Sequence, residues 1–325
     1  MTRHRGRRGT RDAGHRHESS AVKGHYIPQF YLRGFTDPDL PDGHDPFVWI
    51  YGTDDRRWRR RAPKNVAAET DYYIHDSVEA GLSGLESIAA TVIREKVLAG
   101  VTLDDEARYG FAMFVATMMM RVPAMHEHVG DFLTELFGLM QATLHQAMVE
   151  DPSRLEALKE ECRRETGKCD FQDARPEHLD PANARITATH TAALGMSFSA
   201  LTDAAEMLAR MGWTFIRSQS PHYFITSDAP YFMADPKIPP AMWRTMGTGG
   251  LGSPRIQVTL PVTRDVAFMA GWHGEGERRV ESASRRLVSE INYRSGLCAR
   301  RFLIAPKQAF PGAERLPPAP AEASS

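Results

Sequence analysis

The chain has 325 residues, 42% of them hydrophobic and 25% charged, with a formal net charge of -1. This is globular composition, rich enough in apolar residues for a sizeable core, and it excludes a fibrous or wholly disordered chain. The near-zero charge excludes a global field that would draw nucleic acid or an anionic membrane.

Residues 1–20 carry six arginines against Asp12 and Glu18. With nothing apolar to bury, the segment reads as a disordered basic tail. It lacks the apolar stretch of a secretory signal. Residues 21–305 read as one α+β domain, and the Pro- and Ala-rich residues 306–325 as a second disordered tail. Phe47–Tyr51 is β-rich, Gly52–Asp55 is turn-forming, and Arg56–Arg61 is the expected return strand. A helical stretch follows over residues 82–211. In its first helix Leu82, Leu85, Ile88, Ala89 and Val92 form the expected apolar face, with Glu86 at its edge. In the next, Asp104 and Asp105 suit a first turn. Phe111, Phe114, Val115, Met118 and Val122 make the buried stripe, and Arg121 falls in line with it. A desolvated guanidinium needs a carboxylate or a ring of acceptors, and Glu86 is an available partner.

Strands are expected at Trp213–Ile216, His222–Thr226, Ile256–Leu260 and Val266–Met269, and a last helix over Val280–Leu297. Strands and helices are segregated along the chain, which favours α+β over a doubly wound sheet. Cys162, Cys169 and Cys298 are too few for a secreted disulfide scaffold and point to a reducing, cytoplasmic compartment. No apolar run approaches the roughly 20 residues that span a bilayer, so no membrane partner is expected.

Several blocks, in order, carry a resemblance. They are His25-Tyr-Ile-Pro-Gln-Phe-Tyr-Leu-Arg-Gly-Phe35, Asn65-Val-Ala-Ala-Glu69, Asp71-Tyr-Tyr73, a helix bearing Glu86, Arg121-Val-Pro123, Thr226-Ser-Asp-Ala-Pro230, Leu260-Pro-Val262 and Glu290-Ile-Asn292. Together they resemble the bacterial domain of unknown function 4238 family over residues 25–300. The resemblance implies domain limits rather than a reaction. The run Arg56-Arg-Trp-Arg-Arg-Arg61 is denser in charge than the family leads one to expect.

Two constellations carry possible chemistry. In the first block, Pro28 biases Ile27 towards an extended conformation, which would aim His25 and Gln29 into a pocket above Phe30, Leu32 and Phe35. Histidine is suited to proton transfer near neutral pH. In the second, Ser227 and Asp228 follow an apolar strand end, where a carboxylate can hold a metal or orient a histidine, or simply cap a turn. The expectation is that His25, Arg121 and Asp228 converge as a catalytic set, with Gln29, Glu86, Ser227 and Asn65 in support. They would act in a hydrolase on a phosphodiester or nucleotide. A divalent metal is only weakly signalled. The competing expectation is a non-catalytic regulatory module that binds nucleic acid or protein. On that reading Arg57, Trp58, Arg59 and Arg61 would grip phosphates and stack a base, although an exposed, charge-protected edge strand accounts for them as well.

Three weaker patterns fail on physical grounds. Arg121 and His126 have the Arg-x4-His spacing of some helical ribonucleases, but Pro123 should break that turn. Gly247–Gly252 fits G-x-G-x-x-G, but a strand rather than a helix should follow it. His126 and His128 are two apart and should point in different directions on a helix.

Overall fold

The computed structural model describes residues 23–41, 43–70, 76–243, 248–274 and 276–313. The basic segment 1–20 and the end of the Pro/Ala-rich segment lie outside them. The fold is α+β, as expected. Strands β1 (Lys23–His25), β2 (Val48–Gly52), β3 (Trp58–Arg61) and β4 (Ala68–Thr70) accompany a short helix α1 (Gln29–Arg33). Six helices follow: α2 (Asp76–Val92), α3 (Asp105–Met120), α4 (Pro123–Glu150), α5 (Ser153–Thr166), α6 (His190–Ser199) and α7 (Leu201–Arg210). The C-terminal part holds β5 (Gly212–Arg217), β6 (Thr226–Ser227), β7 (Phe232–Ala234), β8 (Gln257–Pro261), β9 (Val266–Gly271), β10 (Glu277–Val280), α8 (Arg285–Cys298) and β11 (Phe302–Ala305).

Three sheets result. One has the order β10-β5-β9-β8-β7, another β3-β2-β11-β6, and β1 pairs with β4. Among the described strands only β10 against β5 is parallel. Helix α3 supplies the centre of the core. Its Asp104 N-cap accepts from the Ala107 amide at 2.9 Å. The predicted stripe is buried, and Ala112, Ala116, Met119 and Met120 are buried with it. An apolar surface this wide belongs to a helix covered on several sides. Phe111 meets Trp213, Phe215 and Phe268 of the five-stranded sheet edge-on, at centroid distances of 5.6, 5.4 and 5.1 Å. Such pairs add to the area they bury.

Four expectations need correction. On α2 Leu82, Ala89 and Val92 are buried, as is Ile93 just after it, with Glu86 half-buried beside them, while Ile88 is 53% exposed and Leu85 only half-buried. The face is rotated towards Glu86, which reaches the Arg121 guanidinium. Of His222–Thr226 only Thr226 lies in a ladder. The Ile225 amide donates instead to the Asn292 side chain at 3.0 Å, so that backbone is satisfied without a strand. Val280 ends β10 rather than opening the last helix, which starts after the Ser284 N-cap. Contacts also continue past residue 305: Phe310 packs on Trp58, and the Lys307 ammonium reaches Asp37 at 2.6 Å. As expected, a strand follows Gly252; no described helix is long and apolar enough to cross a membrane.

Candidate functional site

Of the residues picked out as catalytic, Arg121 and Asp228 are buried and His25 is half-buried, and their polar groups have different partners. Strand β1 pairs Gly24 with Glu69 and His25 with Ala68. Successive residues of an extended chain point to opposite sides. The His25 ring accordingly turns to the Lys64 carbonyl, with Nε2 at 3.1 Å. Tyr26 turns the other way, to the side of Asp228, Arg301 and Glu69. The aspartate therefore faces the residue after the predicted histidine. Burial, with Asp228 adding to it, pushes the Tyr26 phenol pKa up.

Arg121 is 2% exposed. It is the C-cap residue of α3, where Pro123 opens α4. Its Nη1 donates to Glu86 Oε1 at 2.7 Å and its Nη2 to the His25 carbonyl. The expected Glu86–Arg121 pairing is therefore present, and Arg121 binds His25 through backbone rather than through the ring. Asp228 accepts the amides of Arg300 and Arg301, both at 2.9 Å. Burial raises its pKa against the pull of those amides. Ser227 Oγ donates to the Ala229 carbonyl at 2.7 Å and accepts the Ala229 amide, which closes a local turn. Asn65 ends a 3-10 turn and is exposed, and Gln29 is half-buried at the start of α1.

Other residues of the same sequence blocks also bind across the fold. Tyr31 Oη lies 2.8 Å from Thr226 Oγ1 and donates to the Pro261 carbonyl at 2.6 Å. Asn292 is fully buried and donates to the Tyr223 and Pro311 carbonyls, both at 3.0 Å. The blocks meet one another, and in these contacts their polar atoms serve backbone groups or each other.

The basic hairpin is likewise engaged. Arg59 forms an ion pair with Asp55. The Arg60 guanidinium stands over Phe47 and Trp49 at 4.9 and 4.8 Å from their centroids. Trp58 packs between Tyr51 and Phe310, at 5.1 and 6.2 Å, so its ring is not presented as a stacking platform. Arg57 and Arg61 are exposed.

A different place is open to solvent. A cleft of about 570 Å³ lies between the N-terminal half of α4, the start of α6 and the corner formed by Glu69 and Arg301. Glu69 and Arg301 pair at 2.5 Å at its edge. Glu127 and Asp131, one turn apart on α4, stand exposed along one wall, and Gly130 and Ala193 line the cleft with them. The opposite wall is Ala188, Thr189 and His190; Thr189 caps α6, accepting the Ala192 amide at 3.2 Å. His126 also lines the cleft, buried but for 3%, and its ring meets that of His190 edge-on at 5.6 Å. His128 is exposed, as the spacing predicted. Among the described residues no group of three or more His, Cys, Asp or Glu is placed to hold a metal ion.

His126 Nε2 lies 2.8 Å from the Met120 carbonyl. A carbonyl only accepts, so the ring carries its proton on Nε2. Burial, aided by His190, pushes the His126 pKa down to about 4 against the pull of that carbonyl. Its folded pKa is below the unfolded value of roughly 6.5. The unfolded chain therefore binds the proton first as pH falls, and stability is lost from about pH 6.5 down through 4. The melting temperature is expected to fall over that range less steeply in His126→Gln than in the wild type. Parallel slopes would show that His126 does not carry the effect.

Sequence reasoning did not find this cleft. Its walls come from Glu69, residues 123–134, residues 188–193 and Arg301, and no local pattern links them. A model of the family described as "Protein of unknown function (DUF4238)" matches residues 23–309. No curated protein and no solved structure matches the chain.

Proposed function

The chain belongs to the DUF4238 family, a membership that assigns no reaction, and from the geometry we propose that it is a non-catalytic binding module. Its cleft between α4 and α6 receives a cationic segment of a protein partner. The observation that carries this reading is the charge of the cleft. Glu69, Glu127 and Asp131 line it against a single arginine, Arg301, which Glu69 already pairs. A cleft so lined attracts lysine or arginine side chains and repels a phosphodiester. The small residues Gly130, Ala188 and Ala193 leave room for an extended chain to lie close to the helices.

Hydrolysis at His25, Arg121 and Asp228 is the competing reading. A catalytic set must meet at one reacting atom. Here the His25 ring faces a carbonyl, the Arg121 guanidinium holds Glu86 and backbone, and Asp228 accepts two amides. Those contacts support an architectural role.

The test is titration of the full chain with a fluorescent arginine- and lysine-bearing peptide at low salt, with a glutamate-bearing peptide as control. The wild type is expected to bind the cationic probe. The double variant Glu127→Gln/Asp131→Asn is expected to bind about tenfold more weakly, with an unchanged melting temperature because both side chains are exposed. Equal binding by wild type and variant would overturn the assignment of this cleft. Turnover of a phosphodiester probe that a folded His25→Ala variant loses would replace the binding reading with the hydrolytic one.

A further inference from the structure

Glu127 and Asp131 stand one turn apart in the cleft, where like charges repel. From Pro123 to Glu150 their helix has no Lys or Arg, so α4 offers them no cation of its own. Among the described residues neither side chain makes an ion pair or a hydrogen bond. A cation laid between them would relieve the repulsion. The third acid of the cleft, Glu69, stands where the described chain begins. Strand β1 pairs Gly24 with Glu69 and Lys23 with Thr70, and residues so paired are about 5 Å apart. Whatever precedes Lys23 is therefore attached at the rim of the cleft. What precedes it is the most basic segment of the sequence. In residues 1–20 six arginines stand against Asp12 and Glu18, a net charge of +4, which leaves -5 on the rest of a chain whose total is -1.

We propose that the chain's own residues 1–20 occupy the cleft between α4 and α6, and that a cationic partner binds by displacing them. The inference rests on the reading of the cleft given above. Three observations select this occupant. The first is charge, since an arginine-rich segment complements two unpaired carboxylates. The second is reach. Arg16 and Arg11 lie 7 and 12 residues before Lys23, and at about 3.3 Å per residue they can extend up to about 23 and 40 Å from it. The two carboxylates are only about 6 Å apart along the helix, so the segment can lie across both with length to spare. The third is attachment. A short tether holds its ligand at an effective concentration on the order of 1 mM. An affinity as weak as about 0.1 mM then fills the cleft about nine-tenths of the time, and lowers the affinity of a free competitor about tenfold.

The experiment uses the full chain and the same fluorescent arginine- and lysine-bearing peptide at low salt. The variant Arg3→Gln/Arg5→Gln/Arg7→Gln/Arg8→Gln/Arg11→Gln/Arg16→Gln is expected to bind that probe about tenfold more tightly than the wild type. The gain should vanish when Glu127→Gln/Asp131→Asn is added, whereas a general effect of net charge would persist there. Contact is read by carbodiimide coupling, which joins an amine to a carboxylate only where the two touch. Residues 1–20 have no lysine, so Arg11→Lys/Arg16→Lys supplies the amines without changing the charge. Mass spectrometry should find the link to Glu127 or Asp131 within a single chain. Unchanged probe affinity on neutralising the six arginines, a gain that survives Glu127→Gln/Asp131→Asn, or no link to either carboxylate would overturn the proposal. A link that joins two chains would give the cleft to the segment of a second copy instead. If the six-fold variant binds the probe through Glu127 and Asp131 with wild-type affinity, the cleft reading stands and only this inference fails. If no variant binds the probe through those carboxylates, the cleft reading fails as well.

Discussion

Replacing Arg121 with methionine is expected to lower the stability of the fold by about 3 kcal/mol, and the melting temperature by roughly 6 °C. Arg121 closes the end of α3 and holds both Glu86 of α2 and the backbone of the first family block at His25. Methionine fills much of the same volume but bonds to neither. Breaking a buried ion pair leaves the partner charge uncompensated. Glu86 is 28% exposed, so water recovers part of the loss. That keeps the figure at the lower end of the usual range for buried pairs. Arg121→Lys should be intermediate, because one ammonium cannot span both acceptors as the planar fork does. The measurement is chemical denaturation of the three proteins side by side. An Arg121→Met protein of wild-type stability would contradict the architectural role, and would return Arg121 to the list of groups poised for chemistry.

The second large effect belongs to Asn292→Ala. Asn292 lies fully buried on α8 and makes three bonds: it accepts from the Ile225 amide and donates to the Tyr223 and Pro311 carbonyls. Alanine leaves one buried donor and two part-buried acceptors unpaired, as well as a small void. At about 1 kcal/mol or more for each, a loss of about 4 kcal/mol is expected. Asn292→Asp is the sharper test. It retains the acceptor for Ile225 but turns an oxygen towards two carbonyls, so it should be no more stable than alanine at neutral pH. A loss below about 1 kcal/mol for Asn292→Ala would mean that water replaces the side chain, and that the segment before β6 does not depend on it.

How far the sequence could be read follows from where each signal resides. The α3 stripe and the Glu86–Arg121 pair were legible because helical periodicity is local and a buried guanidinium demands a carboxylate. The hairpin at 48–61 was legible because turn residues separate its β-rich runs. The direction of His25 was not. Which of His25 and Tyr26 faces Asp228 depends on the phase of β1, and that is fixed by pairing with β4, more than forty residues later. Short strands such as β7, β10 and β11 were missed for the same reason, since their identity comes from neighbours remote in sequence. Asp228 illustrates a further limit. Its residue type fits a catalytic acid and a turn anchor equally well, and the amides that it accepts, those of Arg300 and Arg301, lie far along the chain where no local pattern reveals them.

The order of the four-stranded sheet, β3-β2-β11-β6, also bears on how the protein is made. Strand β11 sits between β2 and β6, yet it is the last of the described strands. The hairpin of β2 and β3 is complete by residue 61, and the ladder edge of β2 stays open until residue 305 has left the ribosome. For most of its synthesis the nascent protein carries an uncapped β edge, the kind of surface on which chains stick to one another. The charged run at Arg56–Arg61 lies on the same hairpin, on the opposite side of β2 from that edge. Its like charges would keep two unfinished chains apart during the wait, which gives the arginines a use during synthesis that the finished fold does not display.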